Sequence, residues 1–177
     1  MTIPTMTTPR LILRPFEPAD AQPLYRILFQ ENILQYFPTT TPPTLERMQA
    51  FVTRHLAHWD DHGFGWWAVQ PRDGNTLIGW NGLQYLPETD EVEVGYLLSR
   101  DYWGRGLATE GARVGLQFGF ETLGLTRIIG LVHPENTASQ RVLQKIGMTF
   151  VEQAEYFGMM LCKYAVDGAT TDRGAPI

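Results

Sequence analysis

Leu98-Ser99-Arg100-Asp101-Tyr102-Trp103-Gly104-Arg105-Gly106-Leu107-Ala108-Thr109 is the stretch that decides how the rest of this chain is read. A half-apolar strand runs into a Gly-X-Gly turn, and the turn opens directly into an amphipathic helix. Leu107, Gly111, Val114 and Phe118 fall on one stripe, so the helix begins near Gly106. Glycines just ahead of a helix carry no Cβ, which lets backbone N–H groups approach a ligand. The first four helix amides lack internal partners and lie at the positive end of the helix dipole. The result is an anion cradle made of main chain, suited to a diphosphate.

Two familiar cradles fit poorly. The phosphate loop of triphosphatases requires Gly-Lys-Ser/Thr, and none follows these glycines. The dinucleotide fingerprint is nearly met by Gly104, Gly106 and Thr109, but its third small residue is wrong. The preceding strand also carries Glu91 and Glu93, where a doubly wound sheet buries an apolar run. A nicotinamide-dependent oxidoreductase is therefore the weaker alternative.

A second motif follows the first. Thr126 to Val132 reads as a buried strand, broken by His133-Pro134-Glu135. Asn136 to Lys145 then reads as a helix, with Asn136 as its N-cap and Gly147 as the left-handed residue that ends it.

In this order the two motifs resemble the GNAT superfamily of N-acetyltransferases. The acetyl-CoA loop of that family, Gln/Arg-X-X-Gly-X-Gly/Ala, lands on Trp103-Gly104-Arg105-Gly106-Leu107-Ala108. Trp103 departs from the usual first residue, and an aromatic followed by Gly is typical of the branch containing ribosomal-protein N-terminal acetyltransferases. Asn136-X-X-Ser139 and Lys145-X-Gly147-Met148 match the family's second signature. The resemblance implies an α+β fold: a mixed, strongly twisted sheet flanked by about four helices, ordered β-α-α-β-β-β-α-β-α-β-β. It implies two parallel strands splayed to admit a pantetheine arm, and direct acetyl transfer from acetyl-CoA to a primary amine. That amine would be a protein N-terminus, an amino acid, a polyamine or an antibiotic. A non-catalytic acyl-CoA-binding or sensing module is the alternative from another class.

Amine acetylation needs a neutral amine, a destination for its proton and a donor for the developing oxyanion. Glu93, where many relatives carry a glutamate, is the expected base through a water, with Glu91 on the same side as fallback. Both also read as ordinary polar residues on a solvated sheet face. Gly95 is expected to permit a bulge beside them. Ser139 is the expected proton donor to the departing thiolate, with Tyr96 and Tyr102 as substitutes; a first-turn hydroxyl bonding only backbone is the plainer reading. For the cofactor, the Leu98 backbone should pair with the pantetheine amides like an added strand. The amides of Gly104, Arg105, Gly106, Leu107, Ala108 and Thr109 should hold the diphosphate. Asn136 should bond the pantetheine or phosphate region. Arg141 and Lys145 either meet the adenosine phosphate or are solvated.

Composition adds bounds. With 177 residues, 44% of them hydrophobic, one domain is the default, placed at residues 9–166. Residues 1–8 are expected to be loose, and residues 167–177, which lack periodicity and apolar anchors, to form a disordered tail. A net charge of −5 argues against nucleic acid held on a basic surface. The single cysteine, Cys162, excludes an intrachain disulfide and reads as a small buried hydrophobe. With neither a leader nor a long apolar run, the expected setting is the cytoplasm, away from membranes. Homodimers are common among relatives, so a second copy is a possible partner.

Thr44 should cap a helix carrying Leu45, Met48, Val52, Leu56 and Trp59 on one stripe, ended by Gly63. His55, His58 and His62 share a face of that helix and are expected outward and solvated. No His-Glu-X-X-His accompanies them, so no metal is expected. Trp66, Trp67, Trp80 and Tyr85 are expected mostly in the core, with one or two walling the acceptor pocket. Acceptor choice is expected to rest on the early helices, the loop Pro38 to Pro43 and the turn Leu86 to Asp90.

Overall fold

The computed structural model describes residues 2–168. Its elements are β1 (Met6–Thr7), β2 (Leu11–Arg14), α1 (Ala21–Leu28), α2 (Leu45–His62), β3 (Trp66–Pro71), β4 (Gly79–Leu86) and β5 (Glu91–Leu98). These are followed by α3 (Leu107–Gln117), β6 (Arg127–Val132), α4 (Thr137–Lys145), β7 (Thr149–Tyr156) and β8 (Met159–Asp167). All eight strands join one sheet in the order β1-β2-β3-β4-β5-β6-β8-β7, the α+β architecture expected from the sequence. Met6–Thr7 supplies a strand that the sequence reading left in the loose lead-in. It pairs with β2, and Trp67 donates its indole N–H to the Pro4 carbonyl at 2.8 Å. At the other end, β8 continues through Asp167, which pairs with Arg127. The rest of the expected tail, residues 169–177, lies outside the described residues.

Two clusters cover the sheet. Trp59, Trp67, Leu83, Ile128 and Leu143 lead one, with α3 and α4. Leu24, Met48, Val52, Ala68 and Trp80 lead the other, with α1 and α2. α3 lies close on its face because Gly111 and Gly115 have no side chain; a Cβ at Gly111 would stand 2.8 Å from Asn81 Nδ2. Among the described residues no helix is long and apolar enough to cross a membrane.

α2 starts where Thr44 Oγ1 accepts from the Arg47 N–H and stops at Gly63, whose φ of 77° is left-handed. Two of its histidines, His55 and His58, depart from expectation, while His62 is exposed as expected. The buried stripe is Met48, Val52, His55 and Trp59, and Leu56 is only half-buried. His55 is stacked on Trp66 with ring centroids 4.4 Å apart, and burial pushes its pKa down to about 3. His58 is half-buried and accepts the Tyr85 N–H at 3.3 Å.

β5 and β6 are the parallel pair, and one register pair, Glu93↔Ile129, joins them. Beyond it they diverge toward their C-terminal ends, opening a cleft.

Candidate active site

A cavity of about 690 Å³ occupies that cleft. Its floor is at Glu93. The carboxylate bridges the divergence: Oε1 accepts the Leu131 N–H at 3.2 Å, and Oε2 accepts from Gln84 Nε2 at 2.7 Å. Burial pushes Glu93 up to about 7, against the two hydrogen bonds that favour its charged form. Glu91 lies on the same side but is committed elsewhere, paired to Lys163 Nζ at 2.7 Å. Gly95 makes no bulge, because β4 and β5 stay in continuous register from Gly79↔Leu98 to Leu86↔Glu91. Its missing side chain instead leaves room for the Trp66 ring, which a Cβ there would meet at 3.0 Å.

The cradle wall comes from the loop before α3. Gly104 and Gly106 have φ of 71° and 76°, left-handed values that glycine adopts without strain. Gly104, Gly106, Leu107, Ala108 and Thr109 line the cavity. Arg105 is not among the lining residues: its guanidinium lies over Tyr102, and its carbonyl accepts from Arg10 Nη1 at 2.8 Å. That bond clasps the loop from behind. C=O and N–H of one trans peptide point in opposite directions, so anchoring the Arg105 carbonyl to Arg10 turns the Gly106 N–H away from Arg10. Arg10 also pairs with Glu110 at 2.6 Å, offsetting a carboxylate in the first turn of α3. Burial acts to raise Glu110, but hydrogen bonds from Thr8 and Arg10 outweigh it and keep the group below the ordinary carboxylate range.

Leu98 lines the cavity, and its carbonyl already accepts the Trp103 indole N–H at 2.6 Å. The aromatic that departs from the family pattern therefore sits on the carbonyl expected to meet pantetheine. Across the cleft, Asn136 Oδ1 caps α4 by accepting the Ser139 N–H at 3.1 Å. Ser139 Oγ is 2.9 Å from the Tyr96 hydroxyl, a pairing the sequence reading named only as a substitution. Burial pushes the Tyr96 phenol well above its ordinary value, so it stays protonated. Arg141 and Lys145 are exposed on α4 and line the same cavity.

The remaining lining was not found from sequence. It includes Asn32, Ile33, Gln35, Tyr36 and Phe37, from the segment after α1, and Tyr156, Phe157, Met159 and Leu161 from the β7–β8 hairpin. None of Trp66, Trp67, Trp80 and Tyr85 lines it, and neither does the turn Leu86 to Asp90. Of the loop Pro38 to Pro43, only Pro38 takes part. Tyr36 stacks on His133 with centroids 5.3 Å apart, joining this wall to the end of β6. Among the described residues no cluster of three or more His, Cys, Asp or Glu is placed to hold a metal ion.

A divergent parallel pair, a glycine cradle at a helix N-terminus and a raised carboxyl between them define a class of acyl-transfer fold. A family model for the acetyltransferase (GNAT) domain matches residues 10–149. The chain belongs to this family: it is an N-acetyltransferase of the class that uses acetyl-CoA to acetylate amines. It is 34% identical over 143 residues, 81% of each chain, to the uncharacterized N-acetyltransferase YnaD of Bacillus subtilis strain 168. Its fold superposes on an acetyltransferase from Agrobacterium tumefaciens with a TM-score of 0.82 and 29% identity, covering 94% of this chain and 95% of that one. RimL, a ribosomal alpha-N-protein acetyltransferase solved in complex with coenzyme A, has a TM-score of 0.78 at 17% identity, covering 93% of this chain and 98% of that one. That last likeness is one of fold.

Proposed function

We propose that this chain transfers an acetyl group directly from acetyl-CoA to a primary amine inside the 690 Å³ cleft, in the cytoplasm. The observation that carries the reading is Glu93, a carboxyl raised to about 7 at the point where β5 and β6 part. When bound, acetyl-CoA supplies the activated acyl group as a thioester. The fit of the cradle rests on two left-handed glycines without Cβ atoms and on helix amides that have no internal partner.

In this reading the N–H groups of residues 104–109 hold the diphosphate, and Leu98 and Asn136 orient the pantetheine arm. The Trp103 indole shifts to share or release the Leu98 carbonyl. An incoming amine arrives mostly as its ammonium, since a lysine-type amine has a reference pKa near about 10.4. Glu93, through a water, takes that proton and frees the nitrogen lone pair to attack. Its pKa lies close to neutral pH, where a base is both substantially ionised and strong enough to act. On the far side Ser139 Oγ donates a hydrogen bond to the departing sulfur. The second proton, lost by the nitrogen as the amide forms, goes to the departing sulfur, which leaves as a thiol. Tyr96, kept protonated by burial, hydrogen-bonds Ser139 and holds its hydroxyl in place.

The test is thiol release from acetyl-CoA across a panel of primary amines, beside calorimetry with coenzyme A. Turnover with at least one amine supports the enzyme. Tight binding with no turnover on any amine overturns the catalytic reading in favour of a sensor.

A further inference from the structure

Resting on that reading, we propose that the acceptor is a primary amine with an apolar, aryl-sized body and no second positive charge. Phe157 selects it. Once the cradle and α4 are given to the cofactor, the wall left for the acceptor is mostly apolar, Ile33, Tyr36, Phe37, Phe157, Met159 and Leu161, with Asn32 and Gln35 as its amide side chains. Phe37 and Phe157 keep 41% and 47% of their surface exposed, an unusual placement for large apolar rings that line one cavity.

Phe157 is also held at a cost. It opens the two-residue hairpin between Tyr156 and Met159, where Phe157 has φ 54° and Gly158 φ 74°. A hairpin turn with both central residues left-handed strongly favours Asn-Gly or Asp-Gly, and a bulky residue at its first position is an outlier. Asparagine would serve the turn better. The ring in its place aims apolar surface at the cleft, and a strained side chain at a site mouth is the pattern expected of a ligand contact.

Charge points the same way. The carboxylates among the cavity residues are Glu93, taken up by the reaction, and Glu135, beside Asn136 on the cofactor side. Behind Tyr156, outside the cavity lining, its hydroxyl donates to Glu152 at 2.9 Å and the Lys163 ammonium, 5.8 Å from the ring, is paired with Glu91. Neither Glu152 nor Glu91 lines the cavity, so a polyamine would set its distal ammonium groups against rings with no lining carboxylate left to receive them, which is unfavourable.

The experiment compares kcat/KM for 2-phenylethylamine, spermidine and a polar tripeptide in the native enzyme and in Phe157→Asn, with thermal midpoint and acetyl-CoA KM as controls. The native enzyme is expected to favour 2-phenylethylamine by about tenfold or more, the scale of one buried apolar group. Phe157→Asn is expected to raise the KM for that amine by about tenfold while leaving acetyl-CoA KM unchanged and the thermal midpoint equal or higher. Preference for spermidine or the tripeptide overturns the proposal, as does an unchanged amine KM in Phe157→Asn. Failure of the native enzyme on all three and on the wider amine panel overturns the catalytic reading itself.

Discussion

The two walls of the cleft are built by different physics. The cradle wall is main chain: left-handed glycines, an opened helix end and a clasp behind the loop. The hairpin wall is side chain: aromatic and aliphatic groups gathered from segments more than a hundred residues apart. In the proposed reading the backbone wall takes the cofactor, whereas a side-chain wall can be rewritten residue by residue without disturbing the fold. Cofactor and acceptor binding should therefore separate under mutation, and the catalytic floor should belong to neither wall.

The floor gives the largest effect. Glu93→Gln is expected to lower kcat by about 10²–10⁴-fold, the range for loss of a general base, with acetyl-CoA KM within about twofold. The sign of the pH dependence follows from the ionised form being the active one. In the native enzyme activity should rise as pH climbs through about 7, and that limb should vanish in Glu93→Gln. A rate and pH profile like the native enzyme's would remove Glu93 from the mechanism.

Next comes the cradle. Gly106→Ala forces a Cβ residue into a left-handed conformation at a cost of about 1–2 kcal/mol. Acetyl-CoA KM should rise roughly tenfold and the amine KM should not move. Equal rises in both would mean the walls are not independent.

The clasp is subtler. Arg10→Ala releases the Arg105 carbonyl and leaves the Glu110 carboxylate uncompensated at the helix end that is to receive an anion. Acetyl-CoA KM should increase roughly fivefold, and Glu110→Gln added to Arg10→Ala should recover part of the loss, because the two side chains form one network. No recovery would assign the effect to the carbonyl bond alone.

The smallest effect is expected at Trp103. Trp103→Phe removes the indole bond to Leu98, so acetyl-CoA KM should change by no more than about threefold, the scale of one neutral hydrogen bond. The fluorescence change on coenzyme A binding, monitored in the native enzyme, should shrink in the variant; an undiminished signal would show that Trp103 does not respond.

Legibility in the sequence follows the same division. The cradle could be read from Gly104, Gly106 and the stripe on α3 because a turn and a helix start are local, and their residue needs are set by backbone geometry. Asn136 and Gly147 were readable as helix ends for that reason. The hairpin wall was not, since Phe157 reaches the cleft only through the antiparallel pairing of β8 with β6, a long-range register that periodicity does not reveal. Phe157-Gly158 nonetheless carried a local signal, an aromatic in a slot that favours Asn. His55 shows the converse. Its spacing from Met48, Val52 and Trp59 places it on the buried stripe, but reading Leu56 as the core-facing residue leaves His55 outward. Gly95 was read as a bulge because a glycine in a strand has two uses, and only the position of Trp66 distinguishes them.

The most direct measurement is a crystal structure with coenzyme A bound. The account predicts diphosphate oxygens within hydrogen-bond distance, about 2.7–3.2 Å, of the main-chain N–H groups around Gly106, with the sulfur near Ser139. A diphosphate lodged elsewhere, or no coenzyme A at saturating concentration, would contradict it.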